Sequence, residues 1–313
     1  MKARKFLPPL IVGLAIILFL SSACGSSGPT PAATSPALTP LPDATSTVMP
    51  TPESPQAIIL NAVDRFNLGI TQHNLGNYEA AIVEFQLAID INPEYSEAYN
   101  KRGLTHSKLG RYEDALNDYD AAVRFDPEFS EAYNNRGFAY FNIGQVEQAV
   151  LNYDQAINID ADYATAYNNR GAASYVIGEL DLAIEDFSRA LAIAPDYSEA
   201  FINRGTAYFN GGAFDLALAD FDELIRLDAE RPQAYLNRAL TRINLRDLLG
   251  SLDDLDHAIL LDPDLPEAYA NRALANAMLG NLPAVGPDVD MAVALGADRS
   301  TLEERLQSIM VAP

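Results

Sequence analysis

A six-residue string returns at a fixed distance in this chain. "AYNNRG" occupies residues 132–137 and again 166–171, and near-copies start at Ala98, Ala200, Ala234 and Ala268, always 34 residues apart. An active site needs its residues once. A period held this long belongs to a chain that builds one structural unit repeatedly and stacks the copies. Counting from Ala62 gives blocks starting at 62, 96, 130, 164, 198, 232 and 266 and ending at residue 299.

Inside each block the spacing is helical. In the block from Ser96, Tyr99, Gly103 and His106 fall on one stripe, and Gly110 then breaks the pattern. Tyr112, Ala115, Tyr119 and Ala122 form a second stripe, closed by Pro127. Steps of three and four mark amphipathic helices, and Gly and Pro mark their ends. The eighth place is small in every block (Gly69, Gly103, Gly137, Gly171, Gly205, Ala239, Ala273), and Ala recurs at the twentieth (Ala81, Ala115, Ala149, Ala183, Ala217), so paired helices can approach closely. Departures are local. Arg246 stands where the turn glycine belongs, Ala161 and Ala229 replace the closing proline, and Pro283 with Pro287 predicts an irregular last hairpin. Ser300 and Glu303 have capping-box spacing and open a final helix, while Pro55 predicts a helix start ahead of the first block.

These positions resemble the tetratricopeptide repeat over residues 62–299. The resemblance implies an all-α fold: a right-handed superhelical solenoid of about seven helix-turn-helix units, closed by a capping helix. The units are 62–95, 96–129, 130–163, 164–197, 198–231, 232–265 and 266–299, within a repeat domain over 57–299 and followed by a helix and tail over 300–313.

The preceding residues are of another kind. Lys2, Arg4 and Lys5 form a basic head, and residues 10–20 are an apolar run too short to span a membrane comfortably. The run ends "LSSAC", which resembles the lipobox of bacterial lipoproteins. That likeness implies a signal peptide over 1–23 and lipidation at Cys24, the single cysteine of the chain. Ser21 departs from the usual Leu three residues before the cysteine. Residues 25–56 hold eight Pro and eleven Ser or Thr with no Lys or Arg, so they cannot bury enough apolar surface to fold. The segment 24–56 reads as a disordered tether able to reach on the order of 100 Å. The expected location is the bacterial cell envelope, on the outer face of the cytoplasmic membrane or in the outer membrane.

Asn fills the sixth place of five successive blocks: Asn135, Asn169, Asn203, Asn237 and Asn271. Helical geometry puts the second, fifth, sixth, ninth and twelfth places on a face opposite the packed stripe. In tetratricopeptide proteins that face is a concave groove for extended peptides. An Asn amide offers donors and an acceptor to any peptide unit, so Asn134 and Asn168 join the five as groove candidates. Phe138, Phe141, Tyr175 and Phe209 are expected to line the wall, with an acidic rim of Glu97, Glu131, Glu199 and Glu267, whereas Tyr140 and Tyr208 read as core.

The Arg at the seventh place falls on the packed stripe, where an unpaired charge is costly. Asp recurs at the twenty-third place, at matching height across the hairpin. The expected pairs are Arg102–Asp118, Arg170–Asp186, Arg204–Asp220, Arg238–Asp254 and Arg272–Asp288. Arg136 faces Asn152 and needs another acceptor.

The net charge of −22 argues against nucleic acid, whose phosphates demand clustered Lys and Arg. His73, His106 and His257 are scattered, and no phosphate loop or nucleophile elbow is present. No enzyme activity, cofactor or metal is expected. The reading is a membrane-tethered, extracytoplasmic adaptor that binds a neutral-to-basic protein segment in its groove. The alternative is a docking factor for cell-envelope enzymes that remodel the wall or drive secretion and assembly.

Overall fold

The computed structural model describes residues 55–310, with side chains over 61–309. The expected signal peptide, Cys24, the expected tether before Pro55 and the last three residues lie outside the described residues. Fifteen helices follow one another, and among the described residues there is no strand. They are α1 (Pro55–Asn74), α2 (Tyr78–Ile91), α3 (Ser96–Lys108), α4 (Tyr112–Phe125), α5 (Ser130–Asn142), α6 (Val146–Ile159), α7 (Ala164–Val176) and α8 (Leu180–Ile193). Then come α9 (Ser198–Asn210), α10 (Phe214–Leu227), α11 (Pro232–Asn244), α12 (Leu248–Leu261), α13 (Pro266–Met278), α14 (Leu282–Ala294) and α15 (Arg299–Met310). The chain divides after Ala166 into two compact units.

Each hairpin is held at the eighth place. A Cβ on Gly171 would lie 2.8 Å from Phe187, and one on Gly137 would lie 2.7 Å from Tyr153, inside any real contact. Ala appears at this place only where the facing side chain at the twenty-fourth is smaller: Ala239 in the hairpin of Leu255, and Ala273 in that of Val289. The glycine is thus dictated by the aromatic ring it must admit.

In the unit up to Ala166, Tyr119 and Tyr153 are wholly buried, with Ala88, Ala98, Ala115 and Ala139 forming the seams between hairpins. In the unit from Tyr167, Phe221, Leu255 and Leu274 belong to one core that Leu306 of α15 closes. Leu302 seals the neighbouring patch against Ala270 and Ala292, so α15 covers the last hairpin.

Two local expectations need correction. The last hairpin is regular, because α14 runs unbroken through both prolines. Pro283 sits in the first turn, where an N–H would have no helical acceptor, and Pro287 forgoes a single bond one turn later. The final helix is capped by Asp298, not by the Ser300–Glu303 box: Asp298 accepts from Thr301 N at 2.8 Å and from the Ser300 and Thr301 hydroxyls. Those bonds lower the Asp298 carboxyl to about 2. Glu303 instead faces Arg299 on the same helix. Arg246, standing at the turn glycine's place, adopts that glycine's left-handed conformation, at φ 65°.

Candidate functional site

The string that marks the repeat becomes a clamp in three dimensions. Its arginine donates through Nε and Nη2 to the Asp of its own hairpin: Arg170 to Asp186 at 2.9 and 2.7 Å, and Arg204 to Asp220 at 2.9 and 2.7 Å. Arg238 grips Asp254 and Arg272 grips Asp288, each at 3.0 and 2.6 Å. Arg102 reaches Asp118 with Nε at 2.9 Å. The spacing therefore brings all five expected pairs together.

The third nitrogen, Nη1, does something the pairing argument did not foresee. It reaches back into the preceding hairpin, to Asp222 from Arg238 at 2.7 Å, to Asp256 from Arg272 at 2.6 Å, and to Ser188 from Arg204 at 3.1 Å. Arg102 reaches Gln86 in the same way. Arg136, facing Asn152 at 2.7 Å, finds its second acceptor in Asp120 at 2.7 Å. The signal was legible: these acceptors lie sixteen residues before the arginine, as the aspartates lie sixteen after it. Each guanidinium also lies over the aromatic three residues earlier, Arg136 over Tyr133 at 5.2 Å and Arg238 over Tyr235 at 5.6 Å. Burial raises the Asp118 and Asp220 carboxyls above their ordinary range, against the pull of Arg102 and Arg204. Asp288, against burial and with help from Asp256, holds Arg272 above its ordinary range.

The asparagines do not form an open amide ladder. Asn134, Asn135, Asn168 and Asn169 are fully buried, and Asn203, Asn237 and Asn271 nearly so. Helical periodicity placed them off the hairpin's own packed stripe, but a neighbouring first helix covers that side. Asn135 donates to Asn100 at 3.1 Å and Asn203 to Asn168 at 2.9 Å, so the sixth place of one hairpin bonds to the fifth place of the hairpin before it. Asn100 in turn donates to Glu131, which also takes Lys101 at 2.8 Å, and one expected rim carboxylate is thereby engaged. Where the fifth place becomes Ile202 or Leu236 the pattern stops. Asn237 then accepts from Gln233, and Asn271 donates to the Glu267 carbonyl.

The aromatic wall shrinks for the same reason. Phe209 is buried, edge-on to Phe214 at 5.4 Å, and belongs to the core. Tyr175 packs against the Ala172–Phe187 cluster and accepts from Asn210 at 2.6 Å, and burial lifts its hydroxyl pKa against that bond. Phe138 and Phe141, one turn apart on α5, remain half-buried with exposed Asn142 beside them. On the first helices of the same unit lie His73, Lys101 and exposed Lys108. Among the described residues no group of three His, Cys, Asp or Glu is placed to hold a metal, and no helix is long and apolar enough to cross a membrane.

Known repeat families match the chain. A TPR repeat family matches residues 69–110, 107–144 and 139–178, and tetratricopeptide repeat families match 164–197 and 202–266. This chain is a tetratricopeptide repeat protein. Comparison with the curated proteins finds no match. Among solved structures, a thermophilic TPR protein of Thermus thermophilus is 25% identical, with TM-score 0.50 over 58% of this chain and 99% of that one. PilW, a type IV pilus biogenesis factor, is 19% identical, with TM-score 0.61 over 66% of this chain and 96% of that one. The C-terminal part of a TPR repeat-containing protein from Cytophaga hutchinsonii is 18% identical, with TM-score 0.60 over 77% and 99%. The last two share the fold with this tetratricopeptide repeat protein.

Proposed function

We propose that this tetratricopeptide repeat protein is a non-catalytic adaptor, tethered outside the cytoplasm through lipidated Cys24, that binds an extended neutral-to-basic protein segment on its first-helix face. One observation carries the binding reading. In a stack whose polar first-helix residues are spent on their neighbours, Phe138 and Phe141 stay partly open, flanked by exposed Asn142. Large aromatics left accessible suit an apolar side chain, and Asn142, which donates one N–H to the Phe138 carbonyl at 2.8 Å, keeps a second for a peptide unit. The test is a peptide library screened against wild type and a Phe138→Ala/Phe141→Ala variant. Selection of apolar segments by wild type, lost in the variant, is the expected result; equal binding by both sinks the assignment. For the tether, wild type should partition into detergent and Cys24→Ser should not.

A second reading, docking of a folded envelope enzyme, is favoured by the turn edge of residues 167–310. Val176, Ile177, Leu182, Leu216, Leu249 and Leu282 are each about half exposed or more there. Capture of a folded enzyme lost on Leu182→Asp/Leu216→Asp, but kept in the Phe138/Phe141 variant, would select it.

A further inference from the structure

The turn edge of residues 167–310 departs from its own repeat. At the nineteenth place, the third residue of the second helix, the earlier hairpins carry Ala80, Asp114 and Gln148, whereas α8 and α10 carry Leu182 and Leu216, each about half exposed. The eighteenth place is acidic in five hairpins running (Glu79, Glu113, Glu147, Asp181, Asp215) and then becomes Leu249, more than two-thirds exposed. Asp114 and Gln148 serve in the same hairpin, so packing does not demand these leucines. Val176 and Ile177, just before α8, extend the apolar surface. The turns carrying it touch. Gly211 stands before α10 where the other six hairpins have Leu or Ile, and a Cβ there would lie 3.1 Å from Leu180 Cδ2 at the start of α8. An apolar edge continuous over neighbouring turns marks an interaction surface, where single exposed leucines would not.

Charge and backbone say what can cover it. Asp181, Glu185, Asp215 and Asp253 are exposed and have no ionic or hydrogen-bonding partner among the described residues. Glu185 and Asp253 follow Leu182 and Leu249 by three and four residues, one turn along the same helix face. Arg246, in the turn before α12, is a cation set against these four carboxylates and outnumbered by them. A second copy of this chain would bring acid against acid, and so would an anionic bilayer. An extended strand finds no free N–H at the turns, because those of residues 177–179, 211–213 and 245–247 all donate within their own hairpins.

We propose that this edge docks an amphipathic α-helix with a basic polar face, borne by a partner protein. Its apolar stripe covers Leu182, Leu216 and Leu249, its Lys or Arg side chains meet the four carboxylates, and its backbone bonds are satisfied internally. The inference rests on the second reading above, which assigns docking to this edge, and names what is docked.

Fluorescence anisotropy of the full chain with a labelled synthetic helix, Leu on one face and Lys on the other, tests this. Saturable binding is expected, about tenfold or more tighter than that of a scrambled Leu/Lys peptide or of the same helix with Glu for Lys. Leu182→Gln/Leu216→Gln, which installs what Gln148 supplies in α6, should weaken the helix about tenfold and leave the thermal midpoint unchanged. Asp181→Asn/Glu185→Gln should weaken it several-fold and reduce its salt dependence. Equal binding of the scrambled peptide, or a helix indifferent to the Leu182/Leu216 variant, would overturn the proposal. So would binding to phosphatidylcholine–phosphatidylserine vesicles, or self-association in sedimentation, that is lost in the same variant, since each names another occupant. If the helix fails to bind while a folded enzyme is still captured through Leu182 and Leu216, the inference falls and the docking reading stands. If both fail, both fall.

Discussion

Tyr153 shows at the level of single atoms how a repeat tolerates a mismatch. It is wholly buried and its hydroxyl has no partner, whereas Tyr119, at the same place one hairpin earlier, meets Ser107 at 3.2 Å. The place that Ser107 occupies is Phe141 in the later hairpin, and a ring offers no hydrogen bond. Tyr153→Phe should therefore stabilise the protein by about 1 kcal/mol and Tyr119→Phe should destabilise it; denaturant midpoints that fell equally in both would refute the account. The clamp is tested in the same way. Arg204→Ala should cost about 3 kcal/mol by stranding a buried carboxylate, with Asp220→Ala similar and the double variant clearly less than additive. His73 adds a pH dependence. Its Nδ1 lies 2.9 Å from Thr105 Oγ1, which itself donates to the Lys101 carbonyl, so the ring is the donor. Burial, reinforced by Lys108 and Lys101, holds its pKa below the ordinary 6.5. The unfolded chain then takes up the proton first, and stability is lost as pH falls from 6.5 toward the lowered folded value. His73→Gln should flatten that part of the stability–pH curve, measured between about pH 7 and 5.

At the scale of helices, sequence and structure meet most closely at the small residues. Gly at the eighth place was legible as close approach, and the ring that requires it was legible too, sixteen residues on. Gly171→Ala should cost about 1–3 kcal/mol by overpacking, and Phe187→Leu should restore much of that loss, since Ala239 already coexists with Leu255. If the double variant were less stable than either single one, the size rule would fail. Helix ends were legible wherever Gly or Pro punctuates the chain. They were less legible where capping was inferred from spacing alone, because α2, α4, α6, α8 and α10 open with no side-chain cap and depend on packing. The candidate site was harder to read for a geometric reason. A helical wheel shows which places avoid the helix's own hairpin, but not which of them a neighbouring hairpin covers. Asn135 and Phe209 lie on the side the wheel assigned to ligand, and that side is filled by a neighbour. Only a rule linking places 35 residues apart would have exposed this, and the fifth-place Asn was present to suggest it.

For the chain as a whole, charge decides what sort of partner can arrive. The net charge is −22, and the arginines of the repeat string are already spent on carboxylates of their own or the preceding hairpin. The acidic excess is left on the outer faces, at side chains such as Glu97, Asp181 and Asp215. On the proposed reading, such a surface should draw a cationic segment from a distance and turn away an acidic one before any contact forms. In the proposed adaptor, contact itself would rest on Phe138 and Phe141, whose apolar burial is insensitive to salt. The two contributions separate kinetically. For an apolar peptide flanked by lysines, raising salt from about 20 to 500 mM should slow association by on the order of tenfold and leave dissociation nearly unchanged. Phe138→Ala/Phe141→Ala should do the opposite, speeding dissociation while keeping the salt dependence of association. Stopped-flow fluorescence on wild type and variant, each at several salt concentrations, reads both rates. An association rate that is flat with salt, or tighter binding of an acidic peptide than of the lysine-flanked one, would show that the field of the molecule does not select its partner.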